Sequence, residues 1–185
     1  AGLYYPQNMI FPYTVTRAYR DGGNEALRPA MKKLVRDLID EQKMYSKTEN
    51  SKLGAFPGGE DKTDYLSTAL GLISLLNIGS DVAYEEGLLD DYNFAVESAV
   101  AYLLRTAKKY KVKNAETFCA GEKDDDLYGV RWDSGLFFSA SFWDLAHWRS
   151  EPFAHAMILE GLTKYLLAYD KGGSTITAGR KLHIK

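Results

Sequence analysis

An all-α fold is what this sequence predicts, on three observations. Apolar side chains recur at three- and four-residue steps in successive stretches of the chain. Each stretch closes on glycines or on a polar loop. No segment before the C-terminal tail reads as a strand.

Residues 1–8 read as an extended arm, held to the body by Tyr4, Tyr5 and Pro6. A short helix is expected from Ile10 to Arg20, stopped by Asp21-Gly22-Gly23. Asn24 is placed as the N-cap of a helix from Glu25 to Gln42, whose Leu27, Ala30, Met31, Leu34, Leu38 and Ile39 form one stripe. Pro29 falls near the first turn, where a missing amide proton matters least. A polar loop follows and closes with Gly54-Ala55-Phe56-Pro57-Gly58-Gly59-Glu60.

The next helix, Asp64 to Asn77, is capped by Asp61 or Thr63 and ended by Gly79. Leu66, Ala69, Leu70, Ile73 and Leu76 face one way, and Leu72 and Leu75 widen the apolar surface, so this helix is expected at the centre. Asp90 or Asp91 caps a helix from Tyr92 to about Lys109, with Ala95, Ala99, Tyr102, Leu103 and Ala107 on one face. Lys108 and Lys109 then suit its negative end. After a long connection, Ser150 is placed to cap a last helix that begins with Glu151 and Pro152 and stops at Gly172-Gly173. Phe153, Ala156, Met157, Leu162, Tyr165, Leu166 and Tyr169 define it. The tail from Ser174 alternates Ile176, Ala178, Leu182 and Ile184 with polar residues, as a short strand or a surface-hugging arm would.

The 185 residues are read as a single domain: arm 1–8, helical body 9–173, tail 174–185. A formal net charge of −2 gives nucleic acid nothing to recognise. One cysteine, Cys119, rules out an internal disulfide framework and a cysteine-rich metal site. No apolar run reaches the roughly 20 residues that a membrane span needs. The start at Ala1-Gly2 suggests a processed chain or a fragment, and thirteen tyrosines lean toward an exported protein, periplasmic or extracellular.

Chemistry concentrates between Trp132 and Tyr169, which holds all three tryptophans and two of the three histidines. Indole faces stack on the apolar faces of pyranose rings, while carboxylates bind hydroxyls or protonate a glycosidic oxygen. On that logic Trp132, Phe137, Trp143, His147, Trp148 and Arg149 are substrate-binding candidates. Asp133, Asp144, Glu151 and His155 are the acid–base candidates, because positions 151 and 155 share a helix face and a carboxylate there can orient the imidazole. The alternative is that the aromatics fill space between helices, the histidine packs near a helix start, and Arg149 pairs with Glu151 or Asp144. No metal site and no cofactor is implied, since a Glu-x-x-x-His pair offers only two ligands. No phosphate loop or dinucleotide fingerprint appears.

One order of elements occurs twice. A helix ending in Leu38-Ile39-Asp40-Glu41-Gln42 leads through Gly54-Ala55-Phe56 into the Asp64 helix; a helix containing Leu103-Leu104 leads through Gly135-Leu136-Phe137 into the Pro152 helix. At these residues, and at Gly58-Gly59-Glu60 followed by Tyr65, Ala69, Leu72 and Leu75-Leu76-Asn77-Ile78, the chain resembles the α/α-toroid superfamily. That superfamily holds terpene cyclases, protein prenyltransferase β subunits, polysaccharide lyases and glycosidases. The resemblance covers roughly residues 25–170 and implies helical hairpins in a half or incomplete toroid, about half a full set. It does not bring the family's catalytic motifs. The prenyltransferase zinc pair Asp-x-Cys meets Thr117 two residues before Cys119, and the cyclase Asp-x-Asp-Asp acid meets Glu122-Lys123-Asp124-Asp125.

Two functions follow as expectations. One is a glycan-binding or glycan-processing domain with an oligosaccharide ligand, built on the aromatic and carboxylate wall. The other is a non-catalytic structural or interaction domain, with a protein partner or a second copy of itself. Exposure of the indoles separates them.

Overall fold

A computed structural model describes residues 7–58, 64–111, 128–132 and 144–170. The molecule is mostly helical. Six α-helices lie among these residues: α1 (Gln7–Asp21), α2 (Arg28–Ser46), α3 (Asp64–Ile78), α4 (Ser80–Glu85), α5 (Leu89–Thr106) and α6 (Asp144–Asp170). Two short strands, β1 (Lys108–Lys111) and β2 (Tyr128–Arg131), pair antiparallel between α5 and α6.

Helix α3 is the axle. It contacts α1, α2, α4, α5 and α6, and every residue from Leu66 to Leu75 is buried. The reason is compositional: Leu66, Ala69, Leu70, Leu72, Ile73 and Leu75 leave it no polar face, and a helix apolar all round is stable only when surrounded. Two of its three buried Ser and Thr hydroxyls are absorbed locally, and that of Ser67 has no partner among the described residues. Ser74 donates back to the Leu70 carbonyl at 2.7 Å, and Thr68 accepts from the Phe56 amide at 3.0 Å. Around α3, α1 contributes Met9, Thr16 and Tyr19; α2 contributes Met31, Val35, Leu38 and Ile39; α5 contributes Tyr92, Ala95, Val96, Ala99 and Leu103. The buried Tyr92 hydroxyl donates to the Leu75 carbonyl at 3.1 Å, and burial pushes its pKa upward.

The turn from Leu53 to Phe56 joins three of these helices. Gly54 has φ 85°, and a Cβ there would stand 2.0 Å from the Ser98 carbonyl oxygen of α5. Gln42 on α2, itself buried, donates to the Gly54 and Ala95 carbonyls, both at 3.0 Å. Phe56 then lies over Gly71 of α3, where a Cβ would come 2.6 Å from the ring. Arg105 of α5 donates to the Ser51 carbonyl at 3.2 Å and to that of Leu53. A glycine that lets backbones meet and an aromatic that plugs the gap are what the sequence placed at this turn. Its second expected instance, Gly135 to Phe137, lies outside the described residues.

Polar edges hold the outer helices. Arg28 of α2 binds Asp81 at 2.9 Å and Glu85 at 2.6 Å, Lys32 reaches Glu85 at 3.0 Å, and Arg36 reaches Glu86 at 3.5 Å, so α4 is laced to α2. Lys43 closes the other end on Asp91 of α5 at 2.8 Å. The guanidinium of Arg28 and the ammonium of Lys32 hold the Glu85 carboxyl down at about 2.

Several expectations change. The expectation of no strand before the tail fails, because Lys108 and Lys109 leave α5 and enter β1 instead of decorating its end. Helix α5 begins at Leu89 without a side-chain cap, with Asp90 and Asp91 inside its first turn. Asn24 makes no capping bond; a 3₁₀ turn (Glu25–Leu27) leads into α2, which places Pro29 at its start. Helix α4 follows Gly79, whose φ of 92° ends α3 as expected without separating the chain into a long loop. Helix α6 begins at Asp144, not at Ser150, and runs through Pro152 for 27 residues.

Two outcomes follow from this packing. Gly54→Ala meets both a left-handed φ and a backbone oxygen, and should cost more than about 2 kcal/mol; Gly87→Ala, at φ 68° with open space around it, should cost about 1 kcal/mol. Urea midpoints of the two variants measure the difference. The depressed Glu85 carboxyl contributes stability that is complete above its ordinary range near 4.5 and is lost as pH falls toward 2. The midpoint should therefore decline through that window, and Glu85→Gln should flatten the decline.

Candidate functional site

Two of the candidates that the sequence offers, Trp132 and His155, are described in full, and they lie at the junction of α5, the β-ribbon and α6. Helix α5 ends at Thr106, so its last carbonyls need partners from outside the helix. The ribbon follows after one residue, Ala107, and pairs Lys108 with Arg131, which returns the chain to the end of α5. Trp132 is the next residue, buried to 7% exposure, and its indole N–H donates to the Leu103 carbonyl at 2.7 Å. It caps the helix that the ribbon has just left.

The same residue ties in α6. The Trp132 backbone N–H donates to His155 Nε2 at 3.2 Å, and the two rings meet edge to face with centroids 5.7 Å apart. The half-buried His155 thus spends its acceptor nitrogen on the main chain. Of the other candidates, Asp133, Phe137 and Trp143 lie outside the described residues. Asp144, His147, Trp148, Arg149 and Glu151 lie on the backbone of α6, in a part whose side chains are outside the description. Among the described residues, no three His, Cys, Asp or Glu side chains gather to hold a metal ion, and no helix is long and apolar enough to cross a membrane.

Below the junction α6 packs on α3 through Ala154, Ile158 and Gly161, where a Cβ on Gly161 would come 3.3 Å from Leu72. Lys164 donates to the buried Asn77 Oδ1 at 3.0 Å. The Tyr165 and Tyr169 rings meet at a tilt of 44° with centroids 4.5 Å apart, and burial, with Tyr165 and Glu97 nearby, raises the Tyr169 phenol to about 12. Glu160 pairs with Arg17 of α1 at 3.7 Å.

No known protein family, curated protein or solved structure matches this chain.

The feature that sequence reasoning missed is the far side of α6. Ala156, Leu159, Thr163, Leu166 and Leu167 are all exposed, Leu159 at 59% and Leu166 at 63%. Glu160 and Lys164, the charged residues between 156 and 169, are turned to Arg17 and Asn77 instead. Helix α6 therefore carries two apolar faces, one against α3 and one toward solvent. The signal was present in the spacing 156, 159, 163 and 166, a 3-4-3 step separate from the buried 154, 158 and 161. Ala156 and Leu166 belonged to the expected apolar stripe of this helix; they sit on its outer side.

If the junction is structural, His155→Leu leaves the Trp132 amide without its acceptor and should cost about 1–3 kcal/mol; Trp132→Phe, which leaves the Leu103 carbonyl only the longer bond from Thr106 Oγ1 at 3.3 Å, should cost less, about 1 kcal/mol. Urea unfolding followed by circular dichroism measures both.

Proposed function

We propose that this chain is a non-catalytic helical interaction domain, one that presents an apolar helix face to a protein partner. The observation that carries the reading is the outer face of α6. A helix exposed to water ordinarily puts charge there, and between Ala156 and Leu167 this one puts none. Trp132 supports the same conclusion, since its indole plane is spent inside the molecule and its N–H on Leu103. A sugar platform needs an open ring face.

The toroid-like arrangement enters as part of this proposal. Its support is the α2–turn–α3 unit, in which Gly54 lets backbones meet and Phe56 plugs the space over Gly71. In that arrangement α2 is an outer helix and α3 an inner one. The domain would then present one helix face of a helical array as its binding surface.

Tryptophan fluorescence titrated with neutral and acidic oligosaccharides tests the choice between partner and glycan. The expected result is emission that no sugar moves, with Trp132 shielded from a soluble quencher. A saturable shift that disappears in Trp143→Ala or Trp148→Ala, at unchanged circular dichroism, would instead establish the aromatic wall as a glycan site and overturn the interaction reading.

A further inference from the structure

We infer that the outer face of α6 pairs with the same face of a second copy of this chain, antiparallel, about a two-fold axis level with position 161 along the helix. The inference rests on the interaction reading and names its partner. Two properties of the face single out a second copy.

The first is the order of side chains. Ala156, Leu159, Thr163 and Leu166 alternate small and large at heptad spacing. Run antiparallel about position 161, the face sets Ala156 against Leu166 of the other copy and Leu159 against Thr163, then repeats both layers by symmetry. Every layer holds one large and one small side chain, so the two helix axes stay evenly spaced along the seam. A parallel pair would stack alanine on alanine and leucine on leucine, bulging and pinching in turn. The face is its own complement in one direction only.

The second is what the face lacks and how large it is. Among the described side chains from Ala156 to Leu167, Glu160 is held by Arg17 and Lys164 by Asn77, so no charge between those positions is left to be buried unpaired or to select a charged partner. Phe153 and Leu167 extend the strip at either end, at 40% and 52% exposure. These side chains expose on the order of 500 Å²; a standard interface takes about 800 Å² from each partner, and weak ones take under about 600 Å². A reversible dimer of modest affinity fits that area.

Sedimentation-velocity ultracentrifugation over a concentration series, under reducing conditions because of Cys119, reads the assembly directly. A concentration-dependent dimer is expected, weakened roughly tenfold or more by Leu159→Glu and by Thr163→Glu. Circular dichroism of these surface variants should match the parent. Orientation is read from a second set. Ala156→Glu or Leu166→Lys alone should weaken the dimer, while the two together in one chain should restore it, because antiparallel pairing sets opposite charges against each other in both layers. Restoration would be impossible in a parallel pair, which sets like against like. A monomer at every concentration overturns the inference, as does a dimer indifferent to Leu159→Glu and Thr163→Glu, or a double variant weaker than either single one. None of these outcomes bears on the oligosaccharide titration, so the dimer can fail while the interaction reading stands.

Discussion

The architecture depends on one close approach, that of Gly54 to the Ser98 carbonyl. At 2.0 Å from that oxygen a Cβ has no room, so the turn can reach α5 only with glycine at this position. Once there, its carbonyl and that of Ala95 fall within reach of the single buried amide of Gln42. Two helices, α2 and α5, and a loop are thereby joined through groups that must all be satisfied at once, because a buried carbonyl without a donor is costly. Phe56 is delivered over Gly71 by the same turn, and its bulk sets the distance between the turn and α3. The greasy α3 provides the driving force for collapse; the turn determines how the other helices are arranged around it.

Around that centre, the chain divides its polar work by region. The α2–α4 edge is held by a ladder of Arg28, Lys32 and Arg36 against Asp81, Glu85 and Glu86, all of it near solvent. Exposed ion pairs of this kind contribute little each, and they set register more than strength. The α5–ribbon–α6 junction uses hydrogen bonds instead. Trp132 serves both as the cap of α5 and as the anchor of α6 through His155. Helix α6 is thus positioned at its upper part by the ribbon and along its length by α3, which leaves its far side free to meet another surface.

Residue types and spacing were enough to locate five of the six helices among the described residues, the central one above all, while the short α4 went unread. Leu66 to Leu75 left no polar face, and nothing but burial could follow. Boundaries were less legible. Asn24, Asp90 and Ser150 all look like caps, yet Asn24 makes no capping bond, Asp90 sits inside the first turn of α5, and Ser150 lies within α6. Capping propensity describes a residue's local choices, while the ends of these helices are determined by what packs on them. The ribbon was illegible for a similar reason. Lys108 to Lys111 has no apolar alternation, and only its pairing with Tyr128 to Arg131, far along the chain, makes it a strand.

The clustering of aromatic and ionisable residues after position 131 does not say how each of them is used, as Trp132 illustrates. A sequence shows that an indole and an imidazole are 23 residues apart, but not that the Trp132 amide lies on His155 while the Trp132 ring is inside. By itself the sequence determined the helical class, the central helix and the Gly54–Phe56 joint, because periodicity and steric demand are local properties. The tertiary structure decided which of the two apolar stripes of α6 would be covered. Both stripes are written in the same residues, and only the arrival of α3 at Ala154, Ile158 and Gly161 makes one of them core and leaves the other as surface.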